Sequence, residues 1–224
     1  MDQVEMVERG TPPHGVDESA AGVDADSPAA GGAGGNDGDL SSRVVGWFLT
    51  VFGLIGLLAS ATLMIEKVEL LIDPTFVPSC NINPILSCGS VMVTPQASVF
   101  GFPNPVIGVA TFPVVAATGL AVLAGARMRG WYWWGLLAGT LGGVVFIHWL
   151  AFQSIFVIGA LCPYCMVAWV CTMATLCTTL SQLARNARLP RFFRHYSILI
   201  FVGWVAAMTM VIAWHFAAQW AALI

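Results

Sequence analysis

Long uncharged apolar stretches alternate with short polar breaks along most of the chain. A membrane-crossing helix needs about 20 apolar residues. The first such run, residues 44–65, carries no charge. After Asp73 no charged residue appears until Arg127. That stretch opens as a loop rich in Pro, Asn, Ser and Gly and closes as an apolar run at about 105–126. A third uncharged stretch, between Arg129 and Arg185, is too long for one span. It predicts two helices, at about 131–158 and 162–183, joined by a tight turn. The break falls at Gly159-Ala160-Leu161-Cys162-Pro163, because proline suits the first turn of a helix and disrupts its interior. A last run covers about 197–222. The pattern predicts an all-α integral membrane protein with five transmembrane helices.

Charge adds orientation. Only 9% of the 224 residues are charged and 58% are hydrophobic, which excludes an ordinary water-soluble globule. No basic surface is available for nucleic acid. Residues 1–43 hold nine acidic groups against Arg9 and Arg43. Rich also in Gly, Ala and Pro, this segment reads as a disordered acidic cytoplasmic tail. It lacks the basic start and apolar core of a signal peptide. No carboxylate follows Asp73, so paired-carboxylate chemistry is excluded beyond it. Arg127 and Arg129 lie between spans two and three; Arg185, Arg188, Arg191 and Arg194 lie between spans four and five. The positive-inside rule puts both groups, and the N-terminus, in the cytoplasm. The C-terminus and the loops after spans one and three are then outside; Lys67 is the one dissenting charge. Trp131, Trp133 and Trp134 stand where an interfacial aromatic belt belongs.

Six cysteines change the picture. Cys80 and Cys88 fall in the first outer loop, and Cys162 and Cys165 at the outer start of span four. All four thus lie on the face where disulfides persist. Cys162-Pro163-Tyr164-Cys165 has redox-motif spacing, and positions i and i+3 share a helix face. A helix N-terminus also favours a thiolate. Cys162 is expected to be the exposed, attackable sulfur. Cys165 is expected one turn deeper, facing a lipid-soluble oxidant. Cys80–Cys88 could instead only staple the loop, whose prolines and asparagines read as a flexible segment. Four cysteines could also bind zinc, although an eight-residue separation of Cys80 and Cys88 is unusual for a closed site. No histidine is well placed to help: His148 and His215 lie within spans, and His14 and His195 on the cytoplasmic side. Cys171 and Cys177, inside span four, read as small buried hydrophobes.

Cys80 and Cys88, then Thr94, then Val99-Phe100-Gly101-Phe102-Pro103, then Cys162-Pro163-Tyr164-Cys165 resemble the bacterial vitamin K epoxide reductase (VKOR) family. The likeness covers about residues 44–183. It implies a four-helix core, with the fifth helix an addition similar to bacterial members. DsbB proteins, analogous in role, carry the CxxC first and the wider pair second, the reverse of the order here. Many bacterial relatives continue into a thioredoxin-like domain; this sequence ends at Ile224, so the resemblance implies a separate DsbA-like thioredoxin-fold partner outside a bacterial inner membrane. It further implies that Cys80 exchanges with that partner and that Cys88 passes electrons to Cys162. Cys165 would then react with a quinone, menaquinone or ubiquinone, from the membrane pool. Thr94 matches a Ser/Thr position of the family motif. Trp169 stands where vertebrate enzymes have a tyrosine that contacts vitamin K. Gln153 and Ser154 lie at a depth suited to a quinone oxygen, and Phe112, Phe152 and Phe156 could line its pocket. The competitors of this reading are a soft-metal-binding protein and a structural membrane protein with non-catalytic cysteines.

Overall fold

In a computed structural model, residues 35–185, 189–190, 192–217 and 221 are described. They form α1 (Gly35–Ile72), α2 (Cys88–Met92), α3 (Pro105–Leu123), α4 (Gly130–Phe152), α5 (Pro163–Arg185) and α6 (Phe192–His215), with no strand among them. A 3₁₀ turn, Pro95–Ser98, follows α2, and a π-helical turn, Gln153–Ile158, extends α4. Among the described residues five helices are long and apolar enough to cross a membrane. The spans expected from the apolar pattern are all present.

The boundaries differ where local chemistry outweighs hydropathy. The first helix starts at Gly35, inside the segment read as a disordered tail. It also runs past residue 65 to Ile72, carrying Glu66, Lys67 and Glu69. Charged residues of this kind have good helix propensity, so they end the apolar run without ending the helix. Pro74 does end it, because the residue before a proline is pushed out of the helical region. Asp73 then accepts from the Thr75 hydroxyl at 2.6 Å and the Thr75 N–H at 2.8 Å, which holds its carboxyl below its usual range. Residues 1–34, Arg188, Arg191 and the expected end of the fifth span lie outside the described residues, and so do His14 and Arg9.

The helices pack in the row α3–α1–α5–α4, with α6 laid against α5. Lipid offers no hydrophobic drive between helices, so close approach of small residues sets the tightest contact. Gly46, Gly53, Gly56 and Gly119 let α1 and α3 meet almost backbone to backbone. A Cβ on Gly53 would stand 2.6 Å from the Ala116 nitrogen. The centre is filled by Leu49, Val115, Leu137, Met173 and Cys177. Trp133 joins this core at 2% exposure, while Trp131 and Trp134 face outward. Trp133 is therefore not part of the expected belt; residues 133 and 137 share the inner face of α4 at i, i+4 spacing. Cys171 and Cys177 are buried, as small hydrophobes are.

His148 does not line a site either. Trp204 of α6 donates its indole N–H to His148 Nε2 at 2.8 Å, and His148 Nδ1 lies 2.8 Å from the Val144 carbonyl oxygen. An accepting Nε2 leaves the proton on Nδ1, so this histidine clamps the fifth helix to α4. His215 stacks edge-on against Phe156 and Phe216.

Gly53→Ala should destabilise the α1–α3 contact by about 1–3 kcal/mol, the usual range for overpacking. Gly139→Ala, where an added Cβ meets nothing within 4 Å, should be close to neutral. Thermal unfolding of both variants in one detergent checks the contrast.

Candidate functional site

The site forms where the loop after α1 meets the chain before α5. Asn83 Oδ1 accepts from the N–H groups of Ile85 (2.9 Å) and Leu86 (2.7 Å), turning the chain. Asn81 Oδ1 accepts from Gly89 N–H at 2.9 Å and from the Ser87 hydroxyl at 3.1 Å. Ser87 caps α2 by accepting from Ser90 N–H. Lys67 donates its ammonium to the Met92 carbonyl at 2.6 Å, tying the far end of α2 to α1. Asparagines that suggested a loose loop are thus the groups that fasten it, because short amide side chains satisfy backbone donors in turns.

On the other side, α4 closes through its π-helical turn onto Gly159, whose φ of 70° is left-handed. Such a terminator favours glycine. The Ser154 hydroxyl donates to the Ala160 carbonyl. Leu161 then pairs with the loop: its N–H donates to Ile85 O at 2.7 Å, and its carbonyl accepts from Ser87 N–H at 2.9 Å. This is a parallel bridge between Leu86 and Leu161. It brings the two segments together just ahead of Cys88 and Cys162.

The sulfurs follow that register. Cys80 and Cys88 form a disulfide with Cα atoms 5.6 Å apart. Cys88 Sγ lies 3.0 Å from Cys162 Sγ. The Cys165 N–H points to Cys162 Sγ at 3.4 Å. Leu63 and Met92 wall the cluster, and Leu70, Val91 and Tyr164 pack around it. Cys162 is 1% exposed, so it is not the exposed sulfur expected at a helix start. The bridge lays Cys88 over it. Cys165 instead is half-buried and opens inward. The hydrogen bond from the Cys165 thiol lowers the Cys162 pKa below the ordinary thiol value. Backbone N–H groups of Cys165 and Tyr164 add to this, against burial and the Glu66 charge.

Cys165 opens into a cavity of about 680 Å³. The cavity fills the gap between α3 and α4, the two ends of the helix row. Its wall is largely apolar and includes Phe112, Ile147 and Trp169; Thr94, Gln153 and Ser154 are among its polar residues. Thr94, Gln153, Cys165 and Trp169, singled out from the sequence, therefore share one wall. The Thr94 hydroxyl is spent on the Val91 carbonyl at 2.7 Å, so it braces the end of α2. Phe152 and Phe156 are 55% and 49% exposed and pack on each other outside the bundle. They do not line the cavity, contrary to expectation, because α4 and its π-turn direct Gln153 and Ser154 inward.

A family model described as the vitamin K epoxide reductase family matches residues 47–180. The chain belongs to that family. A search of curated proteins returned no match. The family assignment makes the chain a membrane oxidoreductase, and the matched span takes in all four cysteines of the cluster. It also takes in Glu66, which sequence reading passed over. A lone charge next to an apolar run reads as a helix flank; only the tertiary contact turns it toward the sulfurs. In this VKOR homologue Glu66 is 6% exposed, and its Oε2 lies 3.4 Å from Cys80 Sγ.

Replacing Cys165 by Ala removes the largest cause of the lowered Cys162 pKa. The pH at which Cys162 ionises should therefore rise. Ultraviolet thiolate absorbance against pH, taken as the difference between Cys165→Ala and the Cys162→Ala, Cys165→Ala double variant, measures it. An unchanged midpoint would assign the lowering to the backbone N–H groups instead.

Proposed function

We propose that this VKOR homologue is a quinone-linked thiol oxidoreductase that supports disulfide formation in exported proteins. Its electrons come from a DsbA-like thioredoxin-fold protein outside a bacterial cytoplasmic membrane. The observation that carries this reading is the 3.0 Å approach of Cys88 and Cys162. It joins an outer disulfide to a CxxC whose second cysteine faces an internal cavity.

The residues divide the work as follows. Cys80 is flanked by exposed Ser79 and Asn81, which suits attack by a partner thiolate. The Cys80–Cys88 bond breaks and Cys88 leaves as a thiolate. Cys88 then attacks Cys162 of a Cys162–Cys165 disulfide, and Cys165 leaves as a thiolate facing the cavity. Each step is thiol–disulfide exchange, favoured by a stabilised leaving thiolate. A cavity of about 680 Å³ with an apolar wall and few polar groups fits a small-molecule site. Cys165, Gln153 and Trp169 would hold a menaquinone or ubiquinone there, with Thr94, expected from the sequence to join them, bracing the wall. Such a quinone, when bound, supplies the acceptor for two electrons and two protons. The gap between α3 and α4 would let it come and go from the membrane pool.

The same arrangement supports an orientation. Arg127 and Arg129 precede α4, and the cysteine cluster lies beyond its other end. Gly130–Ile158 has 29 residues, which at 1.5 Å per residue separates the two ends by about 44 Å. With the arginines cytoplasmic, the cysteines are extracytoplasmic.

The soft-metal reading has one observation in its favour: the sulfurs of Cys80, Cys88 and Cys162 lie within 4.8 Å of one another. The Cys80–Cys88 bond withholds two of them as thiolate ligands.

Quinone reduction by purified protein, driven by a reduced thioredoxin-fold protein, tests the proposal. Cys80→Ala, Cys88→Ala, Cys162→Ala and Cys165→Ala should each fall to background, a loss on the order of 10³-fold or more for nucleophiles acting as a unit. Full turnover without Cys80 or Cys88 would reduce the outer pair to a staple. Stoichiometric zinc in a protein that reduces no quinone would replace the relay with a metal site.

A further inference from the structure

Glu66 is a buried carboxylate that the relay, as derived above, leaves without a task. It lies on α1 in one stripe with Leu63 and Leu70, facing the cysteine cluster. Its Oε1 accepts from the Ser79 N–H at 3.1 Å and from the Ser79 hydroxyl. Its Oε2 has Cys80 Sγ as its neighbour, at 3.4 Å. The adjacent Lys67 is turned away and committed to the Met92 carbonyl. A carboxylate removed from water is costly unless hydrogen bonds compensate it. Ser79 compensates one oxygen and leaves the other aimed at a reacting sulfur.

The titratable groups around Glu66 come from four segments. Cys80 and Cys88 belong to the loop and α2. Cys162 and Tyr164 stand at the start of α5, with the Tyr164 phenol 3.4 Å from Ser79 Oγ. Lys67 and Glu69 flank it on its own helix, Glu69 being exposed. When Cys80 is reduced, a thiolate there would sit against the Glu66 carboxylate in a buried site.

We propose that Glu66 is the proton acceptor that lets Cys80 complete the relay. The inference rests on the four-cysteine reading. After Cys88 has bonded to Cys162, the second thiolate of the partner attacks the partner's own sulfur in its disulfide with Cys80. The partner leaves oxidised, and Cys80 is released as a thiolate that takes up a proton from solvent. Cys80 must then act as a nucleophile. Its proton passes to Glu66 Oε2 while its sulfur attacks Cys88. The Cys80–Cys88 bond forms, the Cys88–Cys162 bond breaks, and Cys162 leaves as a thiolate. Two electrons have moved from the partner dithiol to the inner pair, and Glu66 holds one proton to return to solvent.

The test compares wild type, Glu66→Gln, Glu66→Asp and Cys80→Ala in partner-driven quinone reduction across pH. Acid-quenched samples are mapped for the Cys88–Cys162 disulfide. The Gln amide oxygen can still accept from Ser79 but takes no proton. At about pH 6.5, Glu66→Gln should lose about 10²-fold in turnover, the lower range for a missing general base, and accumulate the Cys88–Cys162 disulfide. The deficit should shrink as pH rises toward the free-thiol pKa of about 8.5, because Cys80 then ionises unaided. Glu66→Asp should fall between the two, and it carries the same pH and trapping test if Glu66→Gln does not fold. Wild-type behaviour of Glu66→Gln, or a loss of equal size at every pH with no trapped disulfide, overturns the proposal and leaves Glu66 as a brace for Ser79. Full turnover of Cys80→Ala is a different failure: it removes the relay itself, and this role with it.

Discussion

Two backbone hydrogen bonds hold the site together. Leu161 donates to Ile85 and accepts from Ser87, and the residues that follow each strand-like segment are Cys162 and Cys88. The bridge joins the stretch that ends at Ser87 to the residue just before Cys162, so both cysteines leave it close together. From there the Cys88 and Cys162 sulfurs approach to 3.0 Å. The bridge explains the burial of Cys162, since whatever the loop carries at that position must cover it. The surrounding turn chemistry serves the bridge: Asn81, Asn83 and Ser87 from the loop, Gly159 and Ser154 from the end of α4.

Helix packing then decides what lies behind the sulfurs. The glycines between α1 and α3 draw those helices close. The row order leaves α3 and α4 at opposite ends, and the space between them is the cavity. Cys165, one helical turn inside Cys162, opens into that space. The result is a largely apolar chamber with a thiol at one end, reached from the cysteine cluster through Cys165. The proposed relay uses both halves of this arrangement, the close register outside and the open gap inside.

Electrostatics is sparse, which gives each polar group weight. Lys67 and Glu66 are adjacent in sequence, yet one anchors α2 and the other touches Cys80. They serve different partners because successive helical residues point about 100° apart. The hydroxyls of Ser79, Thr94 and Ser154 are likewise committed to the loop or to helix ends. Burial without such partners would be costly in so apolar a setting.

The five spans, the break before Pro163 and the four cysteines were legible in the sequence because hydropathy and spacing are local properties, summed along the chain. The family resemblance rested on those same local motifs. Helix α1 outran its apolar stretch because Lys67 and Glu69 satisfy the helix while breaking the hydropathy. Trp133, Phe152 and Phe156 were misplaced for a related reason. Periodicity shows that a side chain has a face, and only the packed neighbours decide whether that face is core, cavity or lipid. The same holds for Cys162 and Glu66. A helix start looks exposed until a loop distant in sequence bridges across it, and a flanking carboxylate looks solvated until α1 turns it toward Cys80. The sequence by itself determined which chemical groups the protein owns and where along the five apolar helices they fall. Only the tertiary structure decided which of them touch, because contact between residues 88 and 162 depends on a hydrogen-bond register that no local window contains.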